Sequence, residues 1–536
     1  MKKFFDALLK FSSLIPSQVL DVIQQAFDYA RGIEIENQRL RDEIARLKEV
    51  PKKPEIKKGK DKDKDDNDSD AGGGSKKIGG SKKGEERQKK TNIDIHETIV
   101  IRPQGLPPGA KLLDRQEYIV QDIEIKNRNT RYVIERWQLA DGGVVRGDLP
   151  NEITGHYGPQ LHQYILYQFH HNRVTEPLLL EQLREFGILM SSGQLHKILV
   201  EGHEPFHQEK QDVLKAGLAV SSYIQTDDTG CRHNAKNGFT NVVCNNLFTI
   251  FESTESKSRV NFLEVLLGNS VCYLIGTESL EYLKRNNLPG FQLDKLQIGL
   301  SFSTSAEWQK HLQEIGIKSS SHLRMVTEAG LLGALLATDI NPNLIVLSDD
   351  AGQFNILLHA LCWIHAERLI KKLEPINELF ALELERARAE IWDLYDKLSA
   401  YKESPSPEEA SRIEATFDDL FQREFQFTML KLAMRRLHKN KAELLLVLQH
   451  PALPLHNNQS ESDIREKVIR RHISVTFNDE SRKCRDSFTS LKKTCRKLGI
   501  TFWRYLGDRL SCKSQIPNLG LIVRMRAGGV HFHPSG

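Results

Sequence analysis

The chain has 536 residues, of which 39% are hydrophobic and 27% charged, and a formal net charge of +4 at pH 7. At roughly 150 residues per domain that length predicts three or four domains, and the composition excludes a wholly disordered chain. No run of about 18 apolar residues occurs, which excludes a spanning helix and any membrane partner of that kind.

The seven cysteines all lie at or beyond Cys231, and their number is odd. That pattern predicts reduced thiols in a cytoplasmic compartment rather than a disulfide framework. The positive charge is concentrated. Residues 51–92 carry 14 Lys and Arg against 9 Asp and Glu, and residues 461–513 carry 14 against 7, so the remainder is net acidic. Clustered positive charge points to a polyanionic partner, nucleic acid first, with a plain solvated surface as the competing reading.

In chain order, residues 1–50 read as N-terminal helices. Asp6 and Lys10 break the apolar start, and no small-x-small cleavage site follows, so it predicts an amphipathic helix rather than a secretory leader. Ile33, Leu40 and Leu47 fall at seven-residue spacing, with Asn37 and Ile44 in the second seam position. A lone seam Asn favours a two-stranded coil, which predicts a homodimer. Pro51 and Pro54 end that helix, and the Lys-, Asp- and Gly-rich stretch over 51–93 predicts a disordered basic linker spanning on the order of 35 Å. Residues 94–150 alternate apolar and polar residues, as in Thr98–Arg102, Tyr118–Ile125 and Tyr132–Trp137, and predict a small β domain. Residues 151–215 read as helical. Leu178–Leu183, a turn at Phe186-Gly187-Ile188 and a second helix starting near Ser192 fit a helix-turn-helix, although any helical hairpin gives the same pattern. Residues 513–536 read as a tail.

Within residues 216–512 three acidic positions sit where elements end or begin. Val220–Ile224 leads into Asp227-Asp228-Thr229, followed by a turn at Asn237-Gly238 and a second strand. Leu344–Leu347 leads into Asp349-Asp350. His456-Asn457-Asn458-Gln459-Ser460-Glu461 opens a helix. Strand-Asp, strand-Asp, helix-Glu is a layout that gathers three carboxylates at one edge of a mixed sheet. Carboxylates that close repel, one pair costing on the order of 4 kcal/mol at an effective dielectric of 20. Mg²⁺ or Mn²⁺ removes that penalty, and a pair of such ions supports in-line displacement at phosphorus. Each position also has a bland reading. Asp-Asp after a strand is often a turn, and Glu461, three residues after Asn458, could close a capping box.

These residues resemble the IS66 family of bacterial insertion-sequence transposases. The family's first block, Asp-Glu-Thr, is matched by Asp227-Asp228-Thr229. Its second block is matched by Asp349-Asp350-Ala-Gly-Gln-Phe354 and then Cys362-Trp-Ile-His365-Ala-Glu-Arg368. Its third, Asn-Asn-x-x-Glu, is matched by Asn457-Asn458-Gln-Ser-Glu461, and a Gly-Ile-aromatic-Tyr-Leu ending follows at Gly499–Leu506. The resemblance covers most of the chain. It implies a multidomain α+β protein with a ribonuclease-H-like α/β catalytic core and helical insertions, alongside the N-terminal coiled coil, small β domain and helical DNA-binding region. Asp227, Asp349 and Glu461 would be the catalytic, metal-binding triad, with Asp228 and Asp350 as second choices.

Around that triad, Asn457 and Asn458 would shape the helix start that aims Glu461. His365 and Arg368 would face the site or DNA phosphates. Arg465, Lys467, Arg470 and Arg471 would contact DNA phosphates, against a solvated basic face. Cys362-x-x-His365 lacks the second half of a zinc site, so a packed thiol is expected.

Two departures stand out. Many relatives carry a cysteine-based zinc module near 95–140, where this chain has no cysteine, so a metal-free remnant and no zinc are expected. Residues 270–340 form a long segment without an assigned role, and 366–455 reads as a helical insertion between the second and third carboxylates, which are 112 residues apart against 122 for the first and second.

The function implied is a bacterial, cytoplasmic DNA transposase with Mg²⁺ or Mn²⁺, two ions, as cofactor. Its partners would be terminal-repeat and target DNA, a second copy of the chain, and accessory proteins of the same element. The competing readings are a nuclease on the same fold without strand transfer, and a catalytically silent DNA-end-binding protein.

Overall fold

The structure is a computed structural model that describes residues 95–105, 107, 110–150, 155–530 and 532. The expected zipper and linker therefore lie outside the described residues. The chain up to Ile119 and the chain from Val120 onward are separate units. The described residues of the first carry neither helix nor strand.

The alternation over 95–150 predicts more strand than forms. Among the described residues the strands there are β1, Arg136–Gln138, and β2, Val144–Arg146, paired antiparallel across a turn with Gly142 in the left-handed region. Ile101 is 89% exposed and Leu113 96% exposed. Alternating residues make a sheet stable only when one face is covered, and no second layer covers this one among the described residues.

Four helices follow. Helix α1 spans Pro159–His170, α2 Glu176–Glu185, α3 Ser192–Val200 and α4 Glu204–Val220. Proline within the first turn of α1, α2 and α4 suits positions that need no amide hydrogen. Helix α3 starts at Ser192 because Ser191 and Gln194 form a reciprocal capping box. The turn before it uses Gly187 at φ +73°. Gly217 lets α4 touch the sheet layer, since a Cβ there would lie 2.4 Å from the Phe248 ring.

The central sheet has five strands, in the order Thr249–Thr254, Lys236–Cys244, Tyr223–His233, Ile345–Ser348, Leu358–Leu361. Strands β3 (Tyr223–His233), β4 (Lys236–Cys244) and β5 (Thr249–Thr254) form an antiparallel meander. A long excursion then intervenes: helix α5 (Arg259–Leu267), the short pair β6 (Tyr273–Leu274) and β7 (Ser301–Phe302), and helices α6 (Thr277–Arg285), α7 (Ser305–Glu314) and α8 (Ser320–Leu336). Helix α8 is buried along most of its length, so this excursion belongs to the main core. The chain returns as β8 (Ile345–Ser348), parallel to β3, and β9 (Leu358–Leu361), parallel to β8.

The β3–β4 turn differs from the expectation. It falls at Asn234-Ala235, both at positive φ, and Asn237-Gly238 lies inside β4. Two successive left-handed residues suit a two-residue hairpin loop. Thr476 holds that tip, its carbonyl accepting from the Asn234 amide and its hydroxyl meeting His233 Nδ1.

Helix α9 (Trp363–Lys371) leads into α10 (Glu378–Glu403), α11 (Pro407–Gln422) and α12 (Thr428–Lys439). These share a second apolar cluster built on Trp363, Ile391, Leu398, Phe417, Phe421 and Met434. The chain then re-enters the sheet layer as α13 (Asn458–Ile473) and α14 (Asp479–Lys497), followed by α15 (Phe502–Leu510). The expected tail beyond 513 instead carries a helix, α16 (Leu519–Ala527). The Leu519 amide donates to Glu209 on α4, and Leu519, Ile522 and Val523 are buried in the main core.

Helix α14 does what a sixth strand would do for β5. The amides of Thr249, Phe251 and Ser253 donate to Thr494 Oγ1, Ser490 Oγ and Asp486 Oδ2. Two strand residues rise about 6.7 Å and four helix residues about 6 Å, so the periods match over this length. An edge that could pair with another chain is thereby closed.

Candidate functional site

Parallel pairing of β3 with β8 aligns Tyr223 with Ile345, Ile224 with Val346 and Gln225 with Leu347. Asp227 and Asp349 each lie two residues past the last aligned pair. They are therefore level with one another on neighbouring strands, Asp349 just beyond the carboxyl end of β8. Glu461 is in the first turn of α13. That helix is seated by Gln225, whose Oε1 accepts from the amides of Gln459 (3.1 Å) and Ser460 (3.3 Å). Gln225 is two residues before Asp227 and so on the same strand face. One side chain thus caps the helix bearing Glu461 and shares a face with Asp227. Its signal in the sequence is weak, a polar residue at an otherwise apolar strand position.

The capping-box reading of Glu461 does not hold. The N-cap is Asn457 rather than Asn458, and no side-chain cap bond forms. Glu461 Oε1 instead lies 3.3 Å from His365 Nε2 and 3.7 Å from Arg368 Nη1, while Arg368 Nη1 donates to His365 Nε2 at 3.1 Å. His365 and Arg368 therefore stand on α9 facing the third carboxylate. Burial lowers the pKa of His365, and the Arg368 charge lowers it further against the pull of Glu461 and Asp349. Cys362 is a packed thiol: burial pushes its pKa up to about 11, and its sulfur accepts the Asn457 amide at 3.4 Å.

The Asp227 carboxyl is pushed up to about 7. Burial is the main cause, and the negative charges of Asp349, Asp228 and Glu461 add to it, against a hydrogen bond from the Asp228 amide (2.7 Å). Like charges thus converge on Asp227. The neighbouring acids are compensated: Asp228 pairs with Lys257 and accepts from Gln353 (2.8 Å), and Asp350 pairs with Arg436. Lys257, Gln353 and Arg436 were not legible as partners, since each is remote in sequence from the acid it serves.

The basic residues divide. Arg465 and Arg471 are exposed, and Arg471 Nη1 donates to Thr229 Oγ1 (3.0 Å) and Gly230 O (2.8 Å) on β3, just beyond Asp227. Lys467 and Arg470 correct the expectation of a phosphate-facing pair. Each is 6% exposed; Lys467 pairs with Asp486 and lies over Phe251, while Arg470 lies over Phe169 and donates to its carbonyl. They sit on the face of α13 that packs inward. Asn457 is buried beneath Glu461, and Asn458 is half-buried at the helix start.

A model of the family described as "Transposase IS66 family" matches residues 345–483, a span that includes Asp349, the His365 block and Glu461. The uncharacterized protein y4jO of Sinorhizobium fredii (strain NBRC 101917 / NGR234) is 36% identical over 321 residues, covering 59% of this chain and all of the relative. The chain belongs to the IS66 transposase family.

For a family of this kind a divalent cation is the group to test against the residues present. The donors are hard carboxylate oxygens, which suit Mg²⁺ or Mn²⁺. His365 Nδ1 and both polar atoms of the Asn457 side chain are buried with no hydrogen bond of ordinary geometry among the described residues, and the Asn457 side chain is close enough to His365 to raise its pKa slightly against the lowering by burial. Among the described residues no three His, Cys, Asp or Glu side chains converge closely enough to hold an ion as they stand. Glu461 is turned toward His365 and Arg368. The donor types, all carboxylate oxygens, are those a hard cation takes. No helix among the described residues is long and apolar enough to cross a membrane.

Proposed function

We propose that this IS66 family member is a DNA transposase that binds the ends of its element, cuts them and joins them to target DNA. In this reading the five-stranded sheet with its helical insertion is a ribonuclease-H-like core. Asp227, Asp349 and Glu461 hold divalent cations, which when bound supply an activated hydroxyl and stabilise the leaving oxygen. The observation that carries it is the parallel β3–β8 register that sets Asp227 level with Asp349, with the charges of Asp349, Asp228 and Glu461 adding to burial in raising the Asp227 carboxyl to about 7.

The chain's own residues supply the rest. Asp227 and Asp349 offer ligand oxygens from adjacent strand ends. Arg368 steadies Glu461 and, with His365, would face the phosphate of a bound strand. Arg465 and Arg471 neutralise backbone phosphates on the side of α13 that faces solvent. Helices α2 and α3 are the candidate reader of element ends. A homodimer through residues 33–47 would hold two ends together.

The test uses full-length protein, Mg²⁺ or Mn²⁺, and labelled duplexes carrying the element ends. Wild type should cut and join them, and Glu461→Gln should do neither while binding DNA as tightly. Cutting without joining would favour the nuclease reading. Equal behaviour of the two proteins would overturn the assignment of Glu461 and favour a DNA-end-binding protein.

A further inference from the structure

We propose that the end of the helical insertion is a clamp on the second carboxylate: Glu443, Arg436 and Asn440 act through His359, Ser348 and Asp350 to fix Asp349. The inference rests on the reading of Asp349 as a site carboxylate, and goes beyond it by assigning positioning residues and a role for the insertion.

The first tether is a chain of four groups. The Ser348 hydroxyl donates to the Asp349 carbonyl oxygen at 2.6 Å and meets His359 Nε2 at 2.9 Å. His359 Nδ1 meets Glu443 Oε1 at 3.2 Å, and Asn355 Nδ2 donates to the same oxygen at 3.2 Å. A hydroxyl has one hydrogen, and a carboxylate only accepts. With the Ser348 hydrogen on Asp349, His359 Nε2 is the donor to the Ser348 oxygen. Glu443 meets the other ring nitrogen, so the chain of contacts runs from its carboxylate to the Asp349 carbonyl. Ser348 and His359 are both buried, so water does not compete for these bonds.

The second tether grips the adjacent residue. Arg436 donates from Nε (3.1 Å) and Nη2 to Asp350 Oδ2, and Asn440 Nδ2 reaches Asp350 Oδ1 at 3.4 Å. Arg436 stands in the last turn of α12, Asn440 caps that helix, and Glu443 lies in the short helix Lys441–Leu444 that follows, so the junction of the two supplies all of them.

The loop they hold resists its own conformation. Leu357, between Asn355 and His359, has φ +55°, a region that a branched side chain rarely adopts. Such a residue persists only where its surroundings impose it. Asp349 needs that help, because it lies beyond the end of β8 and its own carboxylate accepts only the Ala351 amide (3.2 Å) among the described residues.

The test compares full-length wild type with His359→Asn, Glu443→Gln, Arg436→Ala and Arg436→Lys. Hydrogen exchange is measured across 346–357 and across α10–α12 in metal-free protein. Mn²⁺ binding is followed by electron paramagnetic resonance, and cleavage of end duplexes is resolved into kcat and KM. Loss of such supporting partners typically costs ten- to hundredfold in metal affinity or activity. We expect exchange over 349–357 to rise about tenfold with α10–α12 unchanged, Mn²⁺ binding and kcat to fall by that range with KM unchanged, and Arg436→Lys to recover most of what Arg436→Ala loses. Unchanged exchange over 349–357 overturns the clamp. So does equal loosening of α10–α12, which would mark a mere docking contact. Loosening confined to 349–357 in a protein whose wild type binds no Mn²⁺ supports the clamp and sinks the metal reading of Asp349.

Discussion

Asp227 and Glu466 are two enclosed carboxylates, one on β3 and one on the helix packed over it, and the protein treats them oppositely. Burial raises the pKa of both. At Glu466, Arg173 donates from two nitrogens at 2.9 Å each and Lys492 approaches to 2.8 Å, so the carboxyl is held down at about 2. At Asp227 the neighbours are Asp349, Asp228 and Glu461, and the carboxyl rises to about 7. One group is a finished ion pair that ties α1's end to α13 and α14. The other is a carboxyl set among like charges, with no ion pair among the described residues, the arrangement that marks a candidate functional site.

Removing each charge should therefore have opposite consequences, and the largest is catalytic. Asp227→Asn keeps the shape of the side chain and relieves repulsion, so the melting temperature should hold or rise above neutral pH. Cation-assisted cleavage should fall about a thousandfold or more, since the cations' stabilisation is worth several kcal/mol and each 1.36 kcal/mol is tenfold. Strand cleavage by Asp227→Asn within tenfold of wild type would break the comparison at its first term.

Glu466→Gln is the converse. It leaves Lys492 buried without a counter-charge and Arg173, a third exposed, partly so. Breaking a buried pair from one side costs about 3–5 kcal/mol, and the exposure of Arg173 puts this case near 3. Denaturant unfolding should show that loss. An unchanged midpoint would mean that water already serves these cations.

The two groups also sharpen each other across pH. Glu466 has a folded pKa of about 2 against 4.5 unfolded, so its contribution is present above 4.5 and is lost as pH falls toward 2. Asp227 has a folded pKa of about 7 against 3.8, so its contribution is full below 3.8 and lost as pH rises to 7. Asp227→Asn should flatten the stability profile between 4 and 7, and Glu466→Gln should flatten it between 2 and 4.5. A cation must displace the Asp227 proton, so thermal stabilisation by Mn²⁺ should grow from pH 5.5 to 8. Stabilisation that is flat over that interval would place the cation elsewhere.

How much of this the sequence carries depends on range. Strand-Asp, strand-Asp and helix-Glu were legible because each is a local change of period, and parallel pairing of β3 with β8 then puts the two aspartates level. The charge of 461–513 was legible as a sum but not residue by residue, for the same reason. A run of Lys and Arg reads as one basic face, but Lys467 meets Asp486, Lys492 meets Glu466 and Lys497 meets Asp463, so part of that charge is neutralised between α13 and α14. Those pairs depend on helix packing, which spacing along one helix does not reveal. Gln225 and the Glu443–His359–Ser348 chain were invisible likewise, each joining residues from different elements. Residues 95–150 failed in the other direction, because alternation records a preference for a half-covered sheet and says nothing of whether a cover exists.

The smallest expected effect separates the two kinds of basic residue on α13. Arg471 is exposed and its guanidinium rests on Thr229 and Gly230, so Arg471→Ala should leave the fold unchanged within about 0.5 kcal/mol. If it neutralises one phosphate, the slope of log binding constant against log salt should fall by about one, for all duplex sequences alike. Lys467→Met should do the reverse, changing stability through stranded Asp486 and leaving the salt slope alone. A salt slope lowered by Lys467→Met in folded protein would mean that α13 turns its inner face to DNA, and the division between completed and waiting charges would not extend to the cations.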